Sequence, residues 1–261
     1  MYRVIIFFLL FSISLIAYSD MDMDGVEDKA DQCPDTPLTE LVDLTGCTIK
    51  TLKSPHHFDI ALGEKYMEKQ DMQIYTTTLQ MDYYYRKLSL QLSTSYFNRE
   101  VEENRDSGLN DTYLNGYWKF KPVQNLTLRV GGGLSIPTYD SENNELDYTV
   151  ATYLTYRYGK FSLLGGVGET FIGDSDRNGT SYSDVLFYSL GVGYFVSDSL
   201  YSSLSYSSSS SIFNSNDSLE TISLYNYYKF NEHWFLNLNY SRGLSDMVMR
   251  HNIGVSIGYY W

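Results

Sequence analysis

The chain has 261 residues, of which 43% are hydrophobic and 16% aromatic, and its formal net charge is −13. Disordered chains lack this much apolar and aromatic material, so the composition is that of a folded protein. The 26 tyrosines and only five prolines favour strands over helices, and without clustered Lys and Arg no nucleic-acid partner is expected.

The first 19 residues are predicted to be a cleaved signal peptide. Arg3 precedes an apolar stretch at residues 4–17, and Ala17 and Ser19 are the small residues expected before a cut after Ser19. About 20 apolar residues are needed to cross a bilayer as a helix, so a retained membrane anchor is the weaker alternative. No cysteine lies at the cleavage point to mark a lipoprotein.

Residues 20–47 form a short acidic segment with nine acidic side chains and one lysine. A secreted chain enters an oxidising compartment, where Cys33 and Cys47 can be interpreted as a disulfide that closes a loop of about 15 residues. Two free thiols are the alternative.

The start of this segment has the spacing of a calcium-binding loop. Counted from Asp20 as position 1, carboxylates fall at positions 1, 3, 5, 9 and 12, with Gly25 at position 6. Calcium takes six to eight oxygen ligands, and such loops supply them from alternate side chains, with a main-chain carbonyl at position 7. The predicted ligands are five carboxylates and one carbonyl: Asp20, Asp22, Asp24, Val26, Asp28 and Asp31. The expected cofactor is therefore Ca²⁺.

The loop is not half of an EF-hand pair, because position 12 is Asp31 instead of Glu and no amphipathic helices flank it. Residues 20–47 instead resemble the bacterial thrombospondin type 3 repeat, D-x-D-x-D-G-V-x-D-x-x-D-x-C-P-x-T-P followed by V-D-x-x-G-C. The resemblance implies a compact, calcium-bound, disulfide-closed spacer. One repeat is present, and the alternative interpretation is an acidic disordered tail.

After a predicted linker at residues 48–57, the sequence alternates with period two. Leu88, Leu90 and Leu92 alternate with polar residues, and the same pattern recurs at 126–136 and 186–194. Period-two alternation predicts half-buried strands. The predicted strands lie at roughly 58–64, 72–85, 87–97, 111–120, 126–136, 147–158, 160–172, 182–196, 199–208, 218–230, 233–243 and 247–261.

Strand length and connections favour a membrane barrel over a soluble sandwich. The strands run to about 10–14 residues, where globular sheets average five or six. Tight turns at one end, for example near residue 159, are predicted to face longer polar loops at the other, among them 63–71 and 98–110. The final segment, ending in Trp261, resembles the last strand of outer-membrane barrel proteins, which implies recognition by the barrel insertion machinery, although Phe is commoner at that position.

The predicted fold is all-β: a membrane-spanning, antiparallel, up-and-down β-barrel of about 12 strands at residues 58–261, preceded by the small calcium-binding repeat. Ten strands, or a secreted soluble all-β protein, are the alternatives. An even strand count returns both termini to the periplasm, which places the repeat there and the barrel in the outer membrane. Outer-membrane lipid and lipopolysaccharide are the expected surroundings.

The inward faces are rich in Ser, Thr, Gly and Asn, which leave room for water in the lumen. Five cations also fall on these faces: Lys119, Arg129, Arg157, Lys229 and Arg250. All but Arg250 are expected near the periplasmic mouth, where a ring of cations would favour anions. The alternative is that these cations pair with Asp or extend to the interface at strand ends.

The leading functional prediction is an outer-membrane channel through which small, anionic or polar solutes diffuse. By strand number it resembles narrow substrate-selective channels more than wide trimeric porins. The first alternative is a structural or surface-interaction barrel with a plugged lumen, and the second is a lipid-modifying barrel enzyme. Such enzymes resemble one another in a His-x-Ser motif, which none of the four histidines has, although His251 could meet a serine across the sheet. No catalytic residue is predicted, and the protein is not expected to be an enzyme.

Overall fold

The computed structural model describes residues 20–22, 25–29, 31–34, 36, 42, 44–47, 56–140, 144–174, 181–213 and 218–261. The predicted signal peptide, the predicted calcium ligand Asp24 and residues 48–55 of the predicted linker lie outside the described residues. No helix in these described ranges is long and apolar enough to cross a bilayer.

The described part of the chain forms one sheet of thirteen antiparallel strands. In chain order these are β1 His56–Lys69, β2 Met72–Tyr85, β3 Leu88–Val101, β4 Asn104–Leu109, β5 Thr112–Val123, β6 Leu126–Ile136, β7 Asp147–Tyr158, β8 Phe161–Phe171, β9 Val185–Ser197, β10 Leu200–Ser210, β11 Ser218–Lys229, β12 Trp234–Gly243 and β13 His251–Tyr260. Strands that follow one another in sequence pair in space, except β4 and β5, and this is the up-and-down arrangement that the sequence predicts.

The sheet closes on itself because β13 pairs with β1, with Leu62 opposite Ile257. Strands β4 and β5 both pair with β3, one above the other, so together they occupy a single position in the wall. The wall therefore has 12 positions, and the predicted all-β, closed antiparallel barrel is confirmed. Closure leaves no unpaired edge, which a lipid-facing sheet could not tolerate.

Two predicted loops are wrong. Residues 63–71 are not a long loop, because β1 continues to Lys69 and a two-residue turn leads into β2. The five charged residues in this stretch made it resemble a loop. One of them, Glu64, faces outward and accepts a hydrogen bond from Thr77 Oγ1 at 2.7 Å. Residues 98–110 are mostly a hairpin formed by β3 and β4. The first strand also begins at His56 and not at residue 58.

The outer face is an apolar belt bordered by aromatic side chains. Leucines, isoleucines and valines such as Leu190, Leu204 and Ile253 are about half exposed in the middle of the wall. Tyr158 and Trp261 lie at the end of the barrel with the tight turns, here called the tight-turn end, and are 73% and 63% exposed. Apolar middles with aromatic borders are the lipid-facing pattern of membrane barrels.

The inner face is packed at both ends. At the tight-turn end a cluster of six residues is buried: Ala61, Phe195, Tyr201, Tyr227, Phe235 and Tyr260. Gly258 makes room for it, since a Cβ there would lie 2.0 Å from Cζ of Phe235. At the opposite, long-loop end Met67, Met72, Ile74, Phe97 and Met249 are buried together. The polar part of the lumen lies between these two clusters.

Because one face of the wall meets lipid and the other encloses the lumen, two neighbouring residues near the middle of β10 should differ in how well they tolerate a charged substitution. Leu204 faces outward, whereas Ser205 lines the lumen. Leu204→Arg is expected to lower the free energy of unfolding by about 2–4 kcal/mol, because it places a charge in the bilayer centre. Ser205→Arg is expected to change it by less than about 1 kcal/mol, since lumen water can solvate the charge. Urea unfolding in phospholipid vesicles measures both, and equal losses would contradict the assignment.

Candidate functional site

The middle of the barrel contains two adjoining polar cavities. The lining of the larger includes seven hydroxyl side chains: Ser189, Ser203, Ser205, Ser207, Thr221, Ser223 and Ser241. The lining of the other includes amides and serines: Gln80, Gln91, Ser93, Ser95, Asn115, Asn237, Asn239 and Ser256. Lys65 and Asn239 line both cavities. Short polar side chains leave space that water can fill.

The acidic segment lies inside the barrel at the tight-turn end. Its described residues, here called the plug, include Asp20, Asp28 and Asp31, each no more than 8% exposed. Lys119 on β5 donates a hydrogen bond to the main-chain oxygen of Asp20, and its Nζ lies 3.8 Å from Asp20 Oδ1. Arg157 on β7 donates to the main-chain oxygen of Asp28 at 3.5 Å. The segment predicted to be a spacer apart from the barrel is thus packed within its mouth.

The deepest plug contact is an ion pair between Glu27 and Lys29, whose side chains are 3% and 2% exposed. Lys29 Nζ lies 3.0 Å from the ring centroid of Tyr227, and Tyr260 donates its hydroxyl to Glu27 Oε2 at 3.4 Å. Burial lowers the pKa of Lys29 to about 8, and Glu27 opposes that shift. Burial also raises the pKa of Glu27. A buried ion pair is stable only when further contacts offset the loss of hydration. Here these contacts are the ring face of Tyr227 and the hydroxyl of Tyr260.

The plug backbone turns as the calcium-loop spacing predicts. Gly25, at position 6, has a φ of +92°, a conformation that side chains disfavour. Its N–H donates to Oδ2 of Asp20 at 3.1 Å. Asp31 Oδ1 accepts from the N–H of Cys33 at 2.7 Å, and Asp22 Oδ2 accepts from the N–H of Thr36 at 3.0 Å. The acidic side chains therefore brace a compact loop and leave part of their oxygens for other partners.

The carboxyl groups of the loop are buried close to one another, which disfavours their charged forms. Burial, with Asp28 and Asp22 adding to it, raises the pKa of Asp20 to about 8 even though Lys119 lowers it. Burial and the charge of Asp22 raise the pKa of Asp31 to about 7. Asp20 Oδ1 and Asp31 Oδ2 are buried and accept no hydrogen bond from the described residues. Buried anionic oxygens without donors suit a hard cation such as Ca²⁺.

The described residues alone do not form a complete metal site. They contain no group of three or more acidic, histidine or cysteine side chains arranged to hold a metal ion. Of the six predicted ligands, Asp24 lies outside the described residues.

The predicted disulfide between Cys33 and Cys47 is confirmed, with the two Cα atoms 5.0 Å apart. Thr36 strengthens the same closure, because its hydroxyl donates to the main-chain oxygen of Gly46 at 2.6 Å. The described end of the plug, at residues 44–47, is therefore tied back onto the calcium-type loop. Closing a loop of this kind restricts the unfolded chain and stabilises the folded segment.

The five predicted lumen cations have different surroundings. Lys119 and Arg157 contact the plug, and Lys229 lies in the field of Glu27. Arg129 is the strand partner of Lys119, and its guanidinium lies 5.9 Å from the centroid of Tyr117. Arg250 is exposed at the long-loop end, where its N–H donates to the main-chain oxygen of Glu68. Lys119, Arg157 and Lys229 thus lie beside the acidic plug, whereas Arg129 lines the larger cavity together with Lys65.

Sequence reasoning missed Lys65, whose side chain faces the lumen from β1. The stretch around it was assigned to a loop, although the alternation of Phe58, Ile60 and Leu62 would have placed Lys65 on the inward face had it been extended. The docking of the plug was missed as well. The available signal was charge complementarity between the acidic segment and the inward cations.

His251, the remaining candidate for a catalytic base, does not meet a serine in its described side-chain contacts. Its Nδ1 lies 2.9 Å from the hydroxyl of Tyr240, against which the ring stacks. Both side chains lie at the wall of β12 and β13, near the long-loop end. A histidine stacked on tyrosine fits the aromatic border of a barrel.

A closed 12-stranded barrel with an apolar belt outside and a polar lumen inside has the fold of the porin-like outer-membrane barrels. The NanC porin superposes with a TM-score of 0.58 at 11% identity, covering 77% of this chain and 98% of the porin. The KdgM porin superposes with a TM-score of 0.53 at 10% identity, with the same coverages. At sequence identities this low, the two superpositions show a shared fold and nothing further.

Residues 63–260 match the family described as "Putative MetA-pathway of phenol degradation", and the chain belongs to that family. The match includes most of the barrel and begins beyond the plug. No curated protein sequence matches the chain significantly.

If the Glu27–Lys29 ion pair holds the plug in place, removal of its cation should loosen the plug. Lys29→Met keeps most of the side-chain volume but leaves Glu27 buried without its cation, a change that costs about 3–5 kcal/mol for buried pairs. We expect amide hydrogen exchange at residues 25–29 to accelerate at least about tenfold. Lys87→Met, in an exposed turn at the same end, is the matched control and should leave exchange unchanged. Unaltered exchange in Lys29→Met would show that the pair does not hold the plug.

Proposed function

We propose that the protein is an outer-membrane channel through which small polar solutes diffuse. The observation that carries the proposal is the pair of polar cavities in the middle of a wall that is apolar outside. The serine, threonine and amide side chains of the cavities offer hydrogen bonds to a hydrated solute. The porin-like fold supports the proposal.

In this proposal the tight-turn end faces the periplasm, since barrels of this type have short periplasmic turns and longer external loops. The plug then closes the periplasmic mouth, and passage requires that it moves. The contacts of Lys119, Arg157 and Tyr260 with the plug support this, because they join three separate parts of the wall to one segment. The plug also favours a second candidate function, a structural barrel whose lumen stays closed.

We further propose that Ca²⁺ binds the plug loop, as its similarity to the thrombospondin type 3 repeat implies. The residues that would hold it are those predicted from spacing: Asp20, Asp22, Asp24, Val26, Asp28 and Asp31. A bound cation would neutralise the buried carboxylates and replace the hydrogen bonds that Asp20 Oδ1 and Asp31 Oδ2 lack. Calcium in this role stabilises the closed mouth.

Conductance in planar bilayers tests the channel against the closed structural barrel. The unmodified protein is expected to show rare openings, because the plug is docked, and Lys29→Met should raise the open fraction at least about tenfold as docking weakens. Lys87→Met is again the matched control. A complete absence of current in the unmodified protein and in Lys29→Met would overturn the channel and favour the structural barrel.

Titration calorimetry of the full chain tests the calcium proposal. We expect a dissociation constant on the order of 10⁻⁴ to 10⁻³ M, the class typical of extracellular modules. Asp31→Asn keeps an oxygen to accept from the N–H of Cys33 but removes a charge, and should weaken binding about tenfold. Asp198→Asn, in an exposed turn at the same end, should bind as the unmodified protein does. Absence of calcium-dependent heat, or equal binding by Asp31→Asn, would contradict the site.

A further inference from the structure

Lys65 is a lumen cation without a counter-charge. It lies on β1 between the two packed ends of the barrel, with Gly254 and Thr76 as its strand partners. Within the described residues its ammonium makes no hydrogen bond, ion pair or aromatic contact, and no neighbouring charge offsets its burial. Lys29, Lys119 and Arg157 differ in this respect, because each contacts the plug or one of its carboxylates.

The two acids on the inner faces of β1 and β2, Asp59 and Asp82, already have partners. Asp59 and Asp82 hydrogen-bond each other across β1 and β2, and Asp82 also accepts from Gln80 at 2.6 Å and from Gln91 at 2.9 Å. Glu64, the chain neighbour of Lys65, is bonded to Thr77 on the outer face. The part of the chain that the structure describes therefore supplies Lys65 with no anion. A cation in a confined lumen without a counter-charge attracts anions from solution, so a dissolved anion is the group that would pair with it.

The surroundings of Lys65 offer further hydrogen-bonding groups. Thr76, opposite Lys65 on β2, is 1% exposed, and its hydroxyl has no partner among the described residues. Asn239 lines both cavities together with Lys65, and Ser223 and Asn115 line one each. An ammonium accepts a carboxylate through charge-assisted hydrogen bonds, while neutral amides and hydroxyls suit the hydroxyl groups of the same solute.

We propose that Lys65 is the anion-binding residue of the lumen, and that its ligand is a small hydroxylated carboxylate. This inference rests on the proposed channel function, which supplies the solute. Because Lys65 lines both cavities, a solute moving between them would meet its charge. Lys119, Arg157 and Lys229 do not have this role, because the acidic plug lies beside them. Arg129 also lines the larger cavity, but it differs from Lys65 in having the carboxyl group of Asp82 within its field.

Ion selectivity in planar bilayers tests the inference in the full chain carrying Lys29→Met, which is expected to open more often. In a potassium chloride gradient, Lys65→Gln should lower the ratio of chloride to potassium permeability at least about threefold, and Lys65→Arg should restore it. Lys87→Gln, outside the lumen, should have no effect. Normal current with unchanged selectivity in Lys65→Gln would overturn the inference and leave the channel standing.

A binding measurement keeps the inference testable if no variant conducts. Lysines of the full chain can be ¹³C-methylated, which preserves their charge, and the signal missing in Lys65→Gln identifies Lys65. We expect sodium gluconate to shift that signal saturably in the millimolar range, and uncharged glucose to leave it unchanged. A Lys65 signal that does not respond to gluconate would overturn the proposed ligand, whatever the conductance shows. A response to chloride alone would replace the carboxylate with a simple inorganic anion.

Discussion

Every polar group of a backbone within a bilayer must find its hydrogen-bond partner inside the protein. A sheet can meet this requirement only by closing, and in this chain the pairing of β13 with β1 completes the closure. Closure also fixes two faces, since successive side chains point to opposite sides of the wall. The outer face meets lipid and the inner face encloses a lumen, so the same alternation that lets the barrel cross the membrane also creates the cavities.

The lumen brings together charges that are far apart in the sequence. Asp20 and Lys119 are 99 residues apart, and Asp28 and Arg157 are 129 apart. When the acidic segment lies among the inward cations, its carboxylates and main-chain oxygens take the place of the water that would otherwise solvate them. Within the segment, the buried ion pair of Glu27 and Lys29 adds a further contact. Such buried pairs contribute little net stability but are costly to break. The plug is therefore suited to a defined closed position, because a partly displaced plug would leave charges buried without partners.

The strand pattern of the fold was predictable because outward and inward residues alternate so regularly. The pattern failed at β1, where Glu64 and Glu68 interrupt the apolar outer face and, together with Lys65, resemble loop residues in composition. Pairing with β2 over the full length of the strand overrides that local signal. The disulfide could be predicted from two cysteines in a secreted chain. The docking of the plug could not, since spacing within residues 20–47 describes the loop itself and carries no information about the distant strands it contacts.

In the channel proposed above, closure and selectivity would depend on different residues of the lumen. The plug engages cations at the tight-turn end, where Lys119 and Arg157 have acidic partners in reach, whereas Lys65 lies in the polar middle without one. Electrostatic interactions weaken quickly in a water-filled space, with a screening length of about 8–10 Å at physiological ionic strength. A change in the plug can therefore alter how often the mouth is closed with little effect on the field at Lys65. Conversely, neutralising Lys65 changes the preference for anions while every contact of the plug remains in place.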